Sequence, residues 1–303
     1  PLFPGSEILR VSRHRCLEKQ ELQKRGFTVV EYSLAATSEE IRSAVRALGL
    51  PVVVKTASTG YDGKGQVVVR ETGDLEEFLG SVSGVFPECV VERFIPLRCE
   101  ISVIAVRGKD GSVSTFPLAE NEHRDNILHV TRIPARVSGS LEVKAIGLAK
   151  AIVESFQLIG VLCVEMFVTN DGEVLVNELA PRPHNSGHFS LDACSVSQFE
   201  ALIRSMCGIP LQQPTLLTPC AMVNLLGKHL QRIDLRKAQA LEGTKVHLYG
   251  KRRLEAKRKM GHITVLGNSP ENVEQKVLRI EEMIGEGHPS HQEKRRDKTL
   301  TAL

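Results

Sequence analysis

Two glutamates in the middle of the chain lie where strand geometry can make them act together. Asp171-Gly172 is a favoured two-residue hairpin loop, and apolar strands flank it at residues 161–169 and 173–179. In that register Asn170 opposes Glu173, and stepping back along both strands puts Glu165 directly opposite Glu178 on one face of the sheet. Two carboxylates about 5 Å apart repel, the more so among the apolar neighbours Leu162, Val164, Phe167, Val174, Val176 and Leu179. A shared divalent cation removes the repulsion. Carboxylate oxygens suit magnesium or manganese, with nucleotide phosphates completing the shell. The bland alternative is one exposed acid, or a proton shared by the pair, and a one-residue slip in register would defeat the argument.

Three further segments offer matching chemistry. Gly60, Gly63 and Gly65 present backbone N–H groups unobstructed by side chains, and with Tyr61, Asp62 and the point charge of Lys64 they suit a flap over polyphosphate. The loop is neither a Walker loop nor a dinucleotide fingerprint, because no Gly-Lys-Ser/Thr and no G-x-G-x-x-G opens a helix there; an ordinary flexible connection is the competing reading. Lys55 ends the apolar run Val52-Val53-Val54 and would carry its ammonium to the base of the loop, unless it snorkels to the surface. After Glu178, residues 181–188 combine two prolines and a glycine with Arg182, His184, Asn185 and His188, a stiffened loop of donors suited to an anion or substrate. The most basic stretch, residues 251–262, includes Lys251, Arg258 and Lys259 without interleaved aromatic rings. A solvated basic face and a phosphate-monoester site both explain it.

The elements needed to position these groups follow from periodicity and punctuation. A helix is expected from Ser6 to Arg25, then an extended piece over residues 27–32. Thr37-Ser38-Glu39-Glu40 is a helix start, with Ile41, Val45 and Leu48 at helical spacing and Gly49 as the stop. Strands at 51–55 and 66–70 enclose the glycine-rich loop, and a helix at 74–79 and a strand at 89–92 complete a first lobe. A second lobe contains strands at 99–107 and 113–117, a helix at 141–156, the two carboxylate strands and a helix at 198–207. Strands at 221–226, 244–249 and 262–266 and a helix at 271–284 follow, and residues 286–303 are polar and charged. The class is α+β, divided at residues 1–96, 97–216 and 217–303.

Composition excludes several partners. The 303 residues are 42% hydrophobic and 25% charged, enough for a large core, and the formal charge of +3 gives no reason to expect a nucleic-acid or membrane-surface binder. No apolar run approaches the roughly 18 residues that span a bilayer, and no signal segment opens the chain. The seven cysteines are scattered, odd in number and never paired as C-x-x-C, which reads as reduced thiols in the cytoplasm.

Taken together, Tyr61 to Gln66, Glu120 to Leu128, Asn177 to His188 and Arg258 to His262 resemble the ATP-grasp ligases, and within them the 5-(carboxyamino)imidazole ribonucleotide synthases of purine biosynthesis. The resemblance runs from about residue 6 to about residue 266. It implies two α+β lobes grasping ATP, with a small C-terminal β-rich subdomain. Adenine would lie near Glu92, Phe94 and Ile95, and the ribose near Glu100, with His123 also on the nucleotide side. Lys55 and the loop Gly60, Tyr61, Asp62, Gly63, Lys64 and Gly65 would contact phosphates, and Glu165 and Glu178 would hold Mg2+ (or Mn2+). Bicarbonate would attack ATP to give carboxyphosphate, whose carboxyl passes to aminoimidazole ribonucleotide. Arg182, His184 and Asn185, with Tyr61 and Lys64, would serve the chemistry, and Lys251 and Arg258 would hold the ribonucleotide phosphate.

Family members begin with an N-terminal α/β domain that helps bind the ribonucleotide, and this chain starts after it, which leaves complete turnover in question. A homodimer and a fused or associated mutase or carboxylase domain, as in eukaryotic bifunctional members, stay open. Rival readings are another ATP-grasp ligase, such as formate-dependent glycinamide ribonucleotide transformylase or biotin carboxylase, and a non-catalytic nucleotide-binding module.

Overall fold

The computed structural model describes residues 2–58, 65–82 and 86–286. The expected first helix is two: α1 (Ser6–Ser12) and α2 (Arg15–Lys24). The break is a tertiary effect. His14 is extended, and the next residue docks on the end of a strand, with Arg15 N donating to Ala57 O at 2.8 Å and the Arg15 guanidinium to Thr56 O at 2.8 Å. The expected extended piece at 27–32 is also displaced. Strand β1 is Tyr32–Ala35, while Val29 instead bridges Val176.

Helix α3 (Ser38–Leu48) starts and stops where its caps dictate, with Thr37 accepting from Glu40 N at 3.2 Å and Gly49 at φ 74°. Its apolar stripe, Ile41, Ala44, Val45 and Leu48, packs on β2 (Val52–Thr56) and β4 (Cys89–Arg93). With β3 (Gln66–Val69) and α4 (Thr72–Ser81) these form a four-stranded antiparallel sheet in the order β1-β4-β2-β3.

The second sheet has nine strands. They are β5 (Leu97–Arg107), β6 (Val113–Thr115), β7 (Ala119–Arg124), β8 (Ile127–Ile133), β9 (Gly160–Thr169), β10 (Val174–Ala180), β11 (Cys220–Leu226), β12 (Thr244–Leu248) and β13 (Lys259–Leu266). Their order is β10-β9-β5-β7-β8-β11-β13-β12, with β6 pairing the other end of β5. The C-terminal strands therefore continue the large sheet through β11 and β8. One face carries α5 (Gly139–Ser155) together with α1 and α2, so Ile8, Val11 and Leu22 of the first segment belong to the large-sheet core. The other face carries α6 (Ser190–Ala193) and α7 (Gln198–Cys207). Helices α8 (Gly227–Leu230), α9 (Leu235–Ala240) and α10 (Pro270–Ile284) accompany β11 to β13, and α9 and α10 pack on them.

Strands β7 and β8 go beyond the elements expected from periodicity: β7 is almost wholly polar, and β8 alternates only over residues 128–131. Their polar groups are buried but matched: Glu120 to Arg136, Glu122 to Arg132, His129 to Glu281, and Asn121 to Ser102 and Thr131. The signal that could have revealed them is Asp125-Asn126, both at positive φ (50° and 60°), the conformation of a tight hairpin turn.

The carboxylate hairpin reaches the expected pairing by an unexpected route. Its loop has three residues, since Thr169 N donates to Glu173 O at 3.0 Å and Gly172 N to Thr169 O at 3.1 Å. The register near the turn is therefore one residue away from that expected, with Val174 opposite Val168 and Val176 opposite Met166. A β-bulge between Val176 and Glu178 then inserts Asn177 and brings Glu178 opposite Glu165. The core-facing residues of β10 accordingly run Val174, Val176, Leu179, an odd step that no unbroken strand makes.

Because α2 belongs to the large-sheet core, Leu22→Ala should cost about 2–5 kcal/mol of stability, as for other buried leucine truncations. A denaturant unfolding curve measures this, and a loss of only a few tenths would contradict the packing.

Candidate active site

A cavity of about 180 Å³ lies between the two sheets. Its lining includes Lys55, Glu92, Glu100, His123, Glu165, Glu178, Arg182, His184 and Asn185, so most of the sequence-predicted groups converge. Gly60, Tyr61, Asp62, Gly63 and Lys64 lie outside the described residues. Gly65 adopts φ 77° at the start of β3, and its carbonyl accepts from Thr56 N at 2.7 Å.

The two carboxylates have different surroundings. Glu165 is largely enclosed, and His184 Nε2 lies 3.0 Å from its Oε1. Burial opposes its ionisation, but His184, His123 and Lys259 outweigh that and hold it down at about 2. Glu178 lines the cavity and is exposed there. Burial and then the charge of Glu165 raise it above the ordinary carboxylate value. No hydrogen bond or ion pair reaches its carboxylate among the described residues. The pair is thus short of positive charge at Glu178. Two hard oxygen donors on one face facing a cavity fit a magnesium-class ion.

Across the cavity, Lys55 at the end of β2 is buried, with Nζ 2.7 Å from Glu92 Oε2. The other Glu92 oxygen lies 3.0 Å from Lys19 Nζ. Although burial opposes it, these two lysines hold Glu92 down at about 2. Glu92 is therefore the counter-ion of Lys55. Of the other hinge residues, Phe94 lies under the Arg70 guanidinium and Ile95 packs with Val30, Phe167 and Leu175. Glu100 faces His123, with Oε2 3.0 Å from Nδ1. Burial disfavours the His123 imidazolium, and Glu100 and then Glu165 raise it.

The loop after β10 is held by packing rather than by its prolines alone. The buried Gln198 clamps the backbone of His184, accepting from its N–H at 2.9 Å and donating to its carbonyl at 2.8 Å. A Cβ on Gly187 would come within 2.1 Å of Ile104 and 2.6 Å of Gln198, so only glycine fits. His184 Nδ1 is 2.9 Å from Ser186 Oγ, leaving Nε2–H to donate to Glu165. Burial works against the imidazolium, while Cys163 and Glu165 raise His184 above the usual value. Asn185 Nδ2 is buried with no hydrogen-bond partner, a donor waiting on the cavity side. His188 lies away from the cavity, stacked between Phe199 and His262 and bound to Gln198 at 3.0 Å.

Lys251 and Arg258 are not among the cavity-lining residues, and each turns onto a carbonyl of its own segment, Lys259 O at 2.7 Å and Arg253 O at 3.2 Å. Lys259, their neighbour at the start of β13, does line the cavity. Arg15, Glu18 and Lys19 of α2 line it too, beyond the sequence-predicted set. Their signal is charge where the core face of a helix should be apolar: Glu18 and Lys19 are both 2% exposed.

The chain matches the ATP-grasp domain model over residues 20–199 and the model described as the phosphoribosylaminoimidazole carboxylase C-terminal domain over residues 220–276. It is similar to the N5-carboxyaminoimidazole ribonucleotide synthase of Bacillus subtilis (45% identity, covering 86% of this chain and 68% of the relative) and to that of Staphylococcus saprophyticus (40%, covering 91% and 73%). Among solved structures, an ADP complex of N5-carboxyaminoimidazole ribonucleotide synthetase superposes with a TM-score of 0.87 at 44% identity, over 91% of this chain and 73% of that one. The Aspergillus clavatus synthase with ADP and 5-aminoimidazole ribonucleotide superposes with a TM-score of 0.86 at 29% identity, over 93% and 75%. Sequence and fold thus agree with the converging cavity residues: the chain belongs to the N5-carboxyaminoimidazole ribonucleotide synthase family of ATP-grasp ligases.

Proposed function

We propose that this chain binds ATP and magnesium and, with them, carboxylates 5-aminoimidazole ribonucleotide using bicarbonate, giving 5-(carboxyamino)imidazole ribonucleotide, ADP and phosphate. The carrying observation is geometric: Glu178 stands directly opposite Glu165 on one face of the sheet, and both line the cavity with Lys55 and Lys259. The relatives bound to ADP and to the ribonucleotide support the same assignment.

Magnesium held by Glu165 and Glu178 would supply charge stabilisation to the transferred phosphoryl group. Lys55, fixed by Glu92, would meet the phosphates, and a role of Gly60, Tyr61, Asp62, Gly63, Lys64 and Gly65 in covering them and keeping water from carboxyphosphate rests on the family resemblance. The Glu92 carboxylate is occupied, so the hinge of Glu92, Phe94 and Ile95 would receive adenine through its backbone and apolar surface. Glu100 and His123 act as a pair on the ribose side. Arg182 and the unpaired Asn185 amide receive the carboxyl oxygens, and His184 holds Glu165 oriented by its Nε2–H. Lys259 from inside the cavity, with Lys251 and Arg258 released from their carbonyls, takes the ribonucleotide phosphate. Seven free thiols suit a reducing cytoplasm, and among the described residues no helix is long and apolar enough to cross a membrane. A homodimer and a fused mutase or carboxylase domain rest on the family resemblance alone.

Glu178→Gln should abolish magnesium-dependent nucleotide binding in titration calorimetry; unchanged binding would remove the metal role. The pH dependence has a definite sign. Magnesium must displace the proton from Glu178, whose carboxyl is held above the ordinary carboxylate value, so affinity for Mg2+ with ADP should rise as pH rises through the Glu178 titration and then level off, while Glu165 stays ionised throughout. For the acceptor, Lys259→Ala should raise KM for the ribonucleotide about tenfold or more, the worth of one charge-assisted hydrogen bond, with KM for ATP nearly unchanged. Equal effects on both KM values would contradict the phosphate role.

A further inference from the structure

Strand β10 ends the large sheet, so its outward backbone groups have no neighbouring strand to pair with. They are satisfied one by one. Val176 N donates to Thr28 O at 2.9 Å, Asn177 O accepts from Lys19 Nζ at 3.2 Å, and Leu179 N donates to Glu18 Oε2 at 3.1 Å. In an unbroken strand the outward N–H groups fall on residues two apart. Here they fall on Val176 and Leu179, so the last two contacts match the bulged strand and not the regular one. The bulge is what turns Glu178 toward Glu165. Lys19 also meets Glu92, which holds Lys55, so an unbroken path runs from the bulge carbonyl through Lys19 and Glu92 to the lysine on the opposite side of the cavity.

From these contacts we infer that Glu18 and Lys19 are positioning residues for catalysis: as a side-chain clip on the bulge of β10, they hold Glu178 in metal-binding orientation and register Lys55 against it. The inference rests on the metal role given above to Glu165 and Glu178. A purely structural docking of α2 would be served by its apolar contacts through Cys16 and Leu22. Yet the helix buries an acid and a base at adjacent positions, each 2% exposed, and directs both to the site. Burying polar groups is costly unless each is matched, and here the Leu179 N–H of the bulge meets Glu18 while Glu92, the counter-ion of Lys55, meets Lys19.

The test is Mn2+ affinity in the presence of ADP, expressed per folded protein, in wild type, Glu178→Gln, Glu18→Met, Glu18→Gln, Lys19→Met and Leu22→Ala. Removing a residue that orients a metal ligand typically costs about 10–100-fold in affinity, the loss expected for Glu18→Met and Lys19→Met. Glu18→Gln keeps a carbonyl oxygen for Leu179 N–H and should restore affinity to within about threefold of wild type. Leu22→Ala should lose stability and keep its affinity, which separates a positioning role from a merely structural one. Wild-type affinity in Glu18→Met and Lys19→Met, alongside a loss in Glu178→Gln, would overturn this inference and leave the metal role standing. Absence of Mn2+ binding in wild type would overturn both. If Glu18→Met does not fold, Lys19→Met decides between the same two outcomes, a loss supporting the clip and wild-type affinity overturning it.

Discussion

The structure depends on placing two carboxyl side chains opposite each other on one face of a sheet. Glu165 is compensated by neighbours in the fold, chiefly His184, and stays ionised. Glu178, directly opposite, is not, and its carboxyl is pushed up. One site therefore contains a committed anion beside an acid whose charge depends on what arrives. Like charges forced together raise one partner's pKa, and a cation that enters reverses the shift. The surrounding elements can be understood as solutions to that constraint: a clamped loop delivers His184, a bulge turns Glu178, and α2 matches the backbone that the bulge displaces.

The same economy appears in the large sheet. Strands β7 and β8 bury Glu120, Asn121, His129, Thr131 and Arg132, and the matching charges come partly from Glu274 and Glu281 of α10. The C-terminal segment is thus bound to the sheet centre by ion pairs as well as through β11, and it carries Lys259 to the cavity from that fixed base. Buried pairs of this kind are weak evidence for net stability, because desolvation offsets their attraction. What they provide is register, since a one-residue slip of β7 or β8 would bury every one of these charges unmatched.

Elements governed by local rules are legible in the sequence. Thr37 and Gly49 bound α3 as a cap and a left-handed stop should, and the apolar runs at β2, β9 and β11 are strands. Where a distant partner decides the local structure, sequence is silent. The helix breaks at His14 because Ala57 and Thr56 offer carbonyls to Arg15, which starts α2, and β7 is a strand because Arg136 and Ser102 satisfy its polar side chains. The carboxylate pair is the instructive case. The loop is one residue longer than its Asp-Gly composition predicts, and the Asn177 bulge compensates, so the correct pairing follows from two offsetting departures. Turn composition specifies a loop only to within a residue. An edge strand can absorb an insertion whenever side chains elsewhere take up the freed hydrogen bonds.

The acceptor side of the cavity obeys a different logic. A buried amide N–H without a partner costs about 1–3 kcal/mol, and Asn185 Nδ2 is such a group. Its backbone cannot relax to relieve it, because Gly187 admits no extra atom against Ile104 and Gln198 holds His184 by two hydrogen bonds. The orphaned donor is therefore maintained by packing, in the loop that follows the strand carrying Glu178. The two deficits are complementary in sign: the carboxylate side needs positive charge, and the Asn185 side needs an acceptor oxygen. A metal-bound phosphate and an oxyanion entering together would satisfy both, which is the combination that the proposed reaction requires.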